Sequence, residues 1–330
     1  MIEHLTSPLA ARNIPAGLKS VVIHAYGSWF DAITRSKHDF FVKLSAQLDA
    51  RAMRVHLVEG NSRTSQTLLQ SPHLHIIVGG PAMFGPTILH AHPSYIWGFW
   101  YLDELGFGWE SSLRFAAFSA ADVDREQADY FNNGVSSYML TQNVSKLWQE
   151  PRLAAPLAPA SAVVFCQGIE HRTPRRHYLT TEQMIRTASA HDPTSFVYVK
   201  PHPLQSKQAR LRVMDIAATL PNVKVIDASV HDLIKASAMV ITQNSSTGFE
   251  ALMQRKPVAT CAKSDYWHAT LTPRTTDDLS AALTHGAETM RDFDYAGYFH
   301  WFLARNCLEP AKDDFAARAW ARIRDKLMLN

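Results

Sequence analysis

The feature that most constrains this chain is the order of its apolar runs in the second half. Short β-branched stretches, "SAVVFCQ", "SFVYVKP", "NVKVIDA", "AMVITQN" and "KPVATC", alternate with the helically spaced stretches "TTEQMIRTASA", "SKQARLRVMDIAATL", "VHDLIKAS" and "STGFEALMQR". A strand followed by a helix and another strand closes into a parallel βαβ unit, so repeated alternation predicts a doubly wound α/β sheet. The first half repeats the pattern more loosely. "LKSVVIHAYG", "MRVHLVE" and "HLHIIVGG" read as strands, and "HDFFVKLSAQLDARA" as an amphipathic helix.

With 330 residues the chain has room for two cores. The segment "EPRLAAPLAPASA", residues 150–162, has three prolines among small residues and reads as an interdomain linker. The expected domains are therefore 1–155 and 156–330. The tail, "YAGYFHWFLARNCLEP" followed by "DDFAARAWARIRDKLML", is expected to be helical, with aromatics on one face that pack across the domains.

Charge and cysteine content exclude several classes. A net charge of +3 with scattered Lys and Arg does not support nucleic-acid binding. Cys166, Cys261 and Cys307 lie far apart, without metal-ligand spacing, which fits a reducing cytoplasm and no metal site. Glu3 and Pro8 interrupt any secretory core. Residues 64–102 hold no Asp, Glu, Lys or Arg, but glycines, prolines and histidines break the run and oppose a spanning helix. Arg318, Arg322, Arg324 and Lys326 near the tail would permit peripheral contact with anionic lipid of an inner membrane.

In open parallel sheets ligands bind beyond the carboxyl ends of the strands. Three such ends are polar. "QNSSTGFE" sets Gln243, Asn244, Ser245, Ser246 and Thr247 ahead of a helix, where hydroxyls and free N–H groups favour phosphate; the alternative is a plain N-cap. Glu250, inside that helix, could accept from ribose hydroxyls or simply complement the helix N-terminus. "KPHP" fixes His202 between Pro201 and Pro203, beside Lys200, so the imidazole is aimed. "CQGIEHRTPRRH" carries Glu170 and then Arg172, Arg175 and Arg176, which suit an anionic ligand unless they form a solvated basic loop. In the first half, Asp103 and Glu104 follow the aromatic run "IWGFWYL"; a carboxylate against aromatics would have a raised pKa and could act as acid or base, the alternative being an ordinary loop.

Taken in order, "DELG" at 103–106, "KPHP" at 200–203 and "QNSSTGFEAL" at 243–252, followed by "KPV" at 256–258, resemble the acidic-pair, HP and Ser-Ser motifs of bacterial GT-B glycosyltransferases that use CMP-activated sugars. Among these the chain looks most like the capsule and lipopolysaccharide β-Kdo transferases; sialyltransferases share the same plan. The resemblance covers roughly residues 95–260. It implies an α/β protein of GT-B type, with two facing Rossmann-like domains and the active site in the cleft. It implies a CMP-sugar donor, a saccharide or lipid-linked saccharide acceptor, and neither metal nor cofactor.

Carried over by position, His202, Ser245 and Ser246 would contact the nucleotide phosphate, Lys200 would support its strand end, and Glu250 would face the ribose. Asp103 or Glu104 would be the acidic catalyst of the other domain. Glu170 stands where retaining Kdo transferases have an aspartate nucleophile, so a double displacement through Glu170 competes with an inverting route through Asp103 or Glu104 as base. Val258 replaces the second glutamate of other nucleotide-sugar enzymes. A sialyltransferase, a nucleotide-sugar epimerase of the same fold and a non-catalytic nucleotide-sugar-binding protein are the rival readings.

Overall fold

The computed structural model describes residues 2–14 and 20–327. The first two residues of the expected strand "LKSVVIHAYG", Leu18 and Lys19, lie outside the described residues. The chain divides into two compact units: Met1–Phe115 with Leu303–Asn330, and Ala116–Phe302.

The first unit runs β1 (Ile2–His4), α1 (Pro8–Arg12), β2 (Ser20–Ala25), α2 (Ser28–Thr34), α3 (Asp39–Asp49), β3 (Arg54–Glu59), α4 (Arg63–Leu68), β4 (Leu74–Val78), β5 (Ile88–Pro93) and β6 (Trp100–Asp103). Its six-stranded sheet has the order β1-β3-β2-β4-β5-β6, parallel except for β6. β2 and β4 are buried along their whole length, which is why they read as continuous apolar runs rather than alternating ones. Phe40, Phe41, Leu44 and Leu48 of α3 close one face of this core against Trp100.

The second unit begins with α5 (Arg125–Thr141) and continues β7 (Ala160–Phe165), α6 (Thr181–His191), β8 (Phe196–Lys200), α7 (Lys207–Ala218), β9 (Val223–Val225), α8 (Val230–Ala236), β10 (Ser237–Thr242), α9 (Ser246–Met253), β11 (Val258–Thr260), α10 (Thr276–Thr289) and α11 (Tyr295–Phe299). The all-parallel sheet has the order β11-β10-β7-β8-β9. From β7 the chain winds outward through β8 and β9, then returns to the other side of β7 as β10 and β11. The reversal falls between β7 and β10, the place where open α/β sheets open a crevice at their carboxyl edge.

The units are not the consecutive halves 1–155 and 156–330. The proline-rich segment lies inside the second unit, because α5 packs on α11 and the stretch around residues 143–153 is hydrogen-bonded to α8. The tail divides as well. α11 belongs to the second unit, and a π-helical turn, His300–Arg305, leads out of it to α12 (Phe315–Leu327), whose Phe315, Ala319 and Ile323 enter the core of the first unit.

The basic residues near the tail each have a protein partner. Arg318 donates to the carbonyls of Arg305 and Cys307, and Arg322 to those of Leu102 and Asn306. Arg324 pairs with Asp325 and Lys326 with Glu104. Among the described residues no helix is long and apolar enough to cross a membrane.

Candidate active site

Three loops converge at the reversal point of the second sheet. Phe165 and Cys166 end β7, Lys200 to Pro203 end β8, and Ser245 to Thr247 lead into α9; together they line a pocket open to solvent. α9 starts there because Ser245 is its N-cap, in extended conformation, accepting from the Thr247 N–H at 3.3 Å. Gly248 lets the helix lie close to the sheet. A β-carbon at this position would stand 2.7 Å from the Tyr266 hydroxyl and 3.0 Å from Thr242. That hydroxyl donates to the Ser245 carbonyl at 2.7 Å, fixing the cap from below.

His202 is held through its ring and through its backbone. The Leu204 N–H donates to Nδ1 at 3.1 Å, and the Gln205 side chain accepts from the His202 N–H at 3.1 Å. Burial lowers the pKa of the imidazole, favouring the neutral form. Since Nδ1 accepts, the ring proton sits on Nε2, which is then a donor available to a ligand. Lys200, also buried and so lowered in pKa, donates to the Ala228 carbonyl at 2.6 Å and ties the end of β8 to the loop after β9.

Around this pocket the other strand-end residues form a polar frame. Gln167 accepts from the Asn244 N–H at 2.7 Å and donates to the Asn244 side chain at 3.2 Å, joining the ends of β7 and β10. Gln243, fully buried, donates to the Leu179 carbonyl and to Glu170. Glu170 accepts at 2.6 Å from both the N–H and the hydroxyl of Thr181, in the first turn of α6, through Oε1, the same oxygen that receives Gln243. Thus one carboxylate oxygen orients the group at a helix N-terminus, while Oε2 takes none of these bonds.

Glu170 lines a second pocket of about 1180 Å³, with Gln167, His171, Thr181, Gln205 and Arg212. The predicted arginines are placed differently. Arg175 is spent on the carbonyls of His177 and Tyr178, Arg172 is exposed, and Arg176 is half-buried; none of them lines either pocket. Arg212, on the exposed side of α7, carries no local signal that would single it out.

Glu250 is fully buried, and burial pushes its carboxyl up to about 7, against the opposing pull of the Ser145 hydroxyl and the Lys146 N–H. Ser145 Oγ and the Lys146 N–H both donate to Oε1, at 2.9 and 3.4 Å. Oε2 is buried without a hydrogen-bond partner among the described residues. The sequence-based alternative, a solvated charge at the helix N-terminus, does not describe this environment.

In the acidic pair of the first unit, Asp103 is buried and Glu104 exposed. β6 is antiparallel to β5, so its last residue, Asp103, is paired with His90, away from the carboxyl edge where β6 begins at Trp100. Asp103 accepts from the N–H groups of Leu105, Gly106 and Ser112 and from the Ser112 hydroxyl at 2.6 Å, clamping the loop that follows. Glu104 is exposed and stands 3.6 Å from Lys326. Both line a pocket with Leu89, Asn306 and Arg322. Among the described residues no three His, Cys, Asp or Glu side chains gather as a metal site.

Residues 174–296 match the family described as capsule polysaccharide biosynthesis protein. No curated protein sequence matches the chain. Among solved structures, the KpsC beta Kdo 2,7 transferase of Thermosulfurimonas dismutans is 16% identical, covers 80% of this chain and 90% of its own, and superposes with a TM-score of 0.51. The beta Kdo 2,4 transferase of the same KpsC is 16% identical over 81% of this chain and 90% of its own, with a TM-score of 0.48. The UDP-GlcNAc 2-epimerase of Methanocaldococcus jannaschii, 10% identical over 93% and 99% of the two chains, gives 0.37. The chain thus resembles the capsule polysaccharide biosynthesis family through residues 174–296 and has the GT-B fold of a β-Kdo transferase.

Proposed function

We propose that the chain is a glycosyltransferase of capsule or lipopolysaccharide synthesis that moves Kdo from CMP-Kdo to a saccharide or lipid-linked saccharide. The observation that carries this reading is the pocket at the reversal point of the second sheet. One neutral imidazole offers Nε2–H, and one helix N-terminus offers its N–H groups and hydroxyls, beside a rigid strand end. Such a set suits a single phosphate that gains charge as the sugar leaves. A CMP-sugar has one phosphate where a UDP-sugar has two. With that charge met by protein donors, the reading calls for no metal ion and no cofactor.

Glu170 is the nucleophile in this reading. Oε1 is fixed by Thr181 and Gln243, and Oε2 attacks the anomeric carbon as the bond to the CMP phosphate oxygen breaks. The acceptor hydroxyl then displaces Glu170, its proton passing to the released phosphate or to water. Two inversions give retention. An inverting route would use Asp103 or Glu104 as base, yet both oxygens of Asp103 already accept N–H groups of its own loop. A cytoplasmic location goes with the reading, since Cys166, Cys261 and Cys307 are all free buried thiols.

Calorimetry with CMP, UDP and GDP tests the donor class. CMP should bind preferentially, and His202→Ala should weaken it about 10- to 100-fold, the loss of one hydrogen bond to a charged group. Preference for UDP would sink the assignment. With CMP-Kdo as donor, Glu170→Gln should abolish transfer; full activity in that variant would remove Glu170 as the nucleophile.

A further inference from the structure

The segment between α5 and the proline-rich stretch forms the remaining wall of the first pocket, through Ser145, Leu147, Trp148 and Gln149. It is a strap pinned at both ends by polar groups. Near its start, the Asn143 side chain accepts from the Ser229 hydroxyl at 2.7 Å, the Val144 carbonyl meets His231 Nε2 at 2.8 Å, and Ser145 donates to Glu250. Near its end, the Gln149 side chain accepts from the Val230 N–H at 2.7 Å and donates to the Asn143 carbonyl at 2.8 Å. Between these anchors stand Leu147 and Trp148, 39% and 77% exposed.

An indole that stays in water gives up the large burial that usually makes tryptophan worthwhile, and this one is held there by ordered neighbours on both sides. The pocket has two kinds of lining in separate parts of the chain, the apolar Leu147 and Trp148 of the strap with Val230, and the polar Ser245–Thr247 at the start of α9 with His202. A nucleotide has that same division, with a flat aromatic base at one end and a phosphate at the other. Behind Ser145 the buried Glu250 accepts that hydroxyl on Oε1, which fixes this end of the strap.

We infer that Trp148 is the platform on which the nucleobase of the donor stacks, and that the strap of residues 143–150 exists to present it. The inference rests on the nucleotide reading above and names the residue that grips the base. Stacking is indifferent to which pyrimidine is present, so Trp148 supplies affinity while other groups choose between cytosine and uracil.

Calorimetric titration of the full chain with CMP and with UMP, repeated on Trp148→Ala and Trp148→Phe, tests it. Trp148→Ala should weaken CMP about 10- to 100-fold, and Trp148→Phe should stay within a few-fold of the parent because a flat ring remains. CMP should quench tryptophan fluorescence in the parent, and the quench should vanish in Trp148→Phe although that variant still binds. Unchanged CMP affinity in Trp148→Ala, or a quench that persists in Trp148→Phe, overturns the inference and leaves the CMP reading standing. UMP bound more tightly than CMP, with the same loss on Trp148→Ala, upholds stacking and defeats the CMP-sugar reading. Failure of the parent chain to bind either nucleotide defeats both.

Discussion

One closed set of buried polar side chains in the first unit contrasts with the polar groups around the pocket of the second. In the first unit they lie within the strands: His24 of β2 meets Ser65 Oγ at 2.7 Å and His75 Nδ1 at 3.0 Å, and His75 Nε2 meets the Ser71 carbonyl at 3.1 Å. Every group in this chain answers another protein group, so it has a structural account and offers nothing to a ligand. In the second unit His202, at a strand end, keeps a donor at Nε2, and Glu250, inside α9, keeps an acceptor at Oε2.

Asp103 offers the strongest way to break this contrast, because the residue read as a candidate catalyst also clamps a loop. Asp103→Ala strands three backbone N–H groups and a hydroxyl in a largely buried place, and should cost about 3–5 kcal/mol in urea unfolding. An unfolding midpoint equal to the parent's, with activity lost, would restore the catalytic role.

The pH responses that Glu250 and His24 give to their surroundings should have opposite slopes. Glu250 ionises near 4.5 in an unfolded chain and at about 7 in the fold. Its contribution is complete below 4.5 and is lost as pH rises to about 7, by at most ~3 kcal/mol. His24 is lowered from 6.5 to about 3, by burial first and then by His75. Its contribution is complete above 6.5 and is lost as pH falls toward 3. Amide exchange, corrected for intrinsic rates and compared at about pH 5 and about pH 6.5, should show β2 better protected at the higher pH and α9 at the lower. Glu250→Gln should flatten the response of α9 and leave that of β2; equal slopes in parent and variant would refute the burial argument for Glu250.

The smallest effect is expected at Glu104. Its pairing with Lys326 is long and the carboxylate is exposed, so Glu104→Gln should change stability by less than about 1 kcal/mol. If transfer activity falls sharply with that change, the acidic pair has a chemical role after all, carried by Glu104 rather than Asp103.

Strand and helix identities were legible because burial imposes a period on the chain, and the second unit's β7, β8 and β10 with their intervening helices follow from that period. His202 could be singled out because two prolines fix the backbone around it, and Ser245 because helix starts need such a cap. β5 and β6 were harder: "ILHAHP" and "WYLD" sit among glycines, prolines and aromatics and are held by each other rather than by strong local preference.

What the sequence by itself determined is the two-sheet α/β class and the set of polar residues at the carboxyl ends of the second sheet, since both follow from local spacing. Tertiary structure alone decided which of those groups are spent. Ser145 reaches Glu250 across 105 positions, Lys43 meets the Pro310 carbonyl across 267, and Arg322 meets the Leu102 carbonyl across 220. Periodicity reports whether a residue is buried, whereas its partner is fixed only when distant segments pack. That is why the clamp made by Asp103, the place of α12 in the first unit and Trp148 on the wall of the pocket appear only in the tertiary structure.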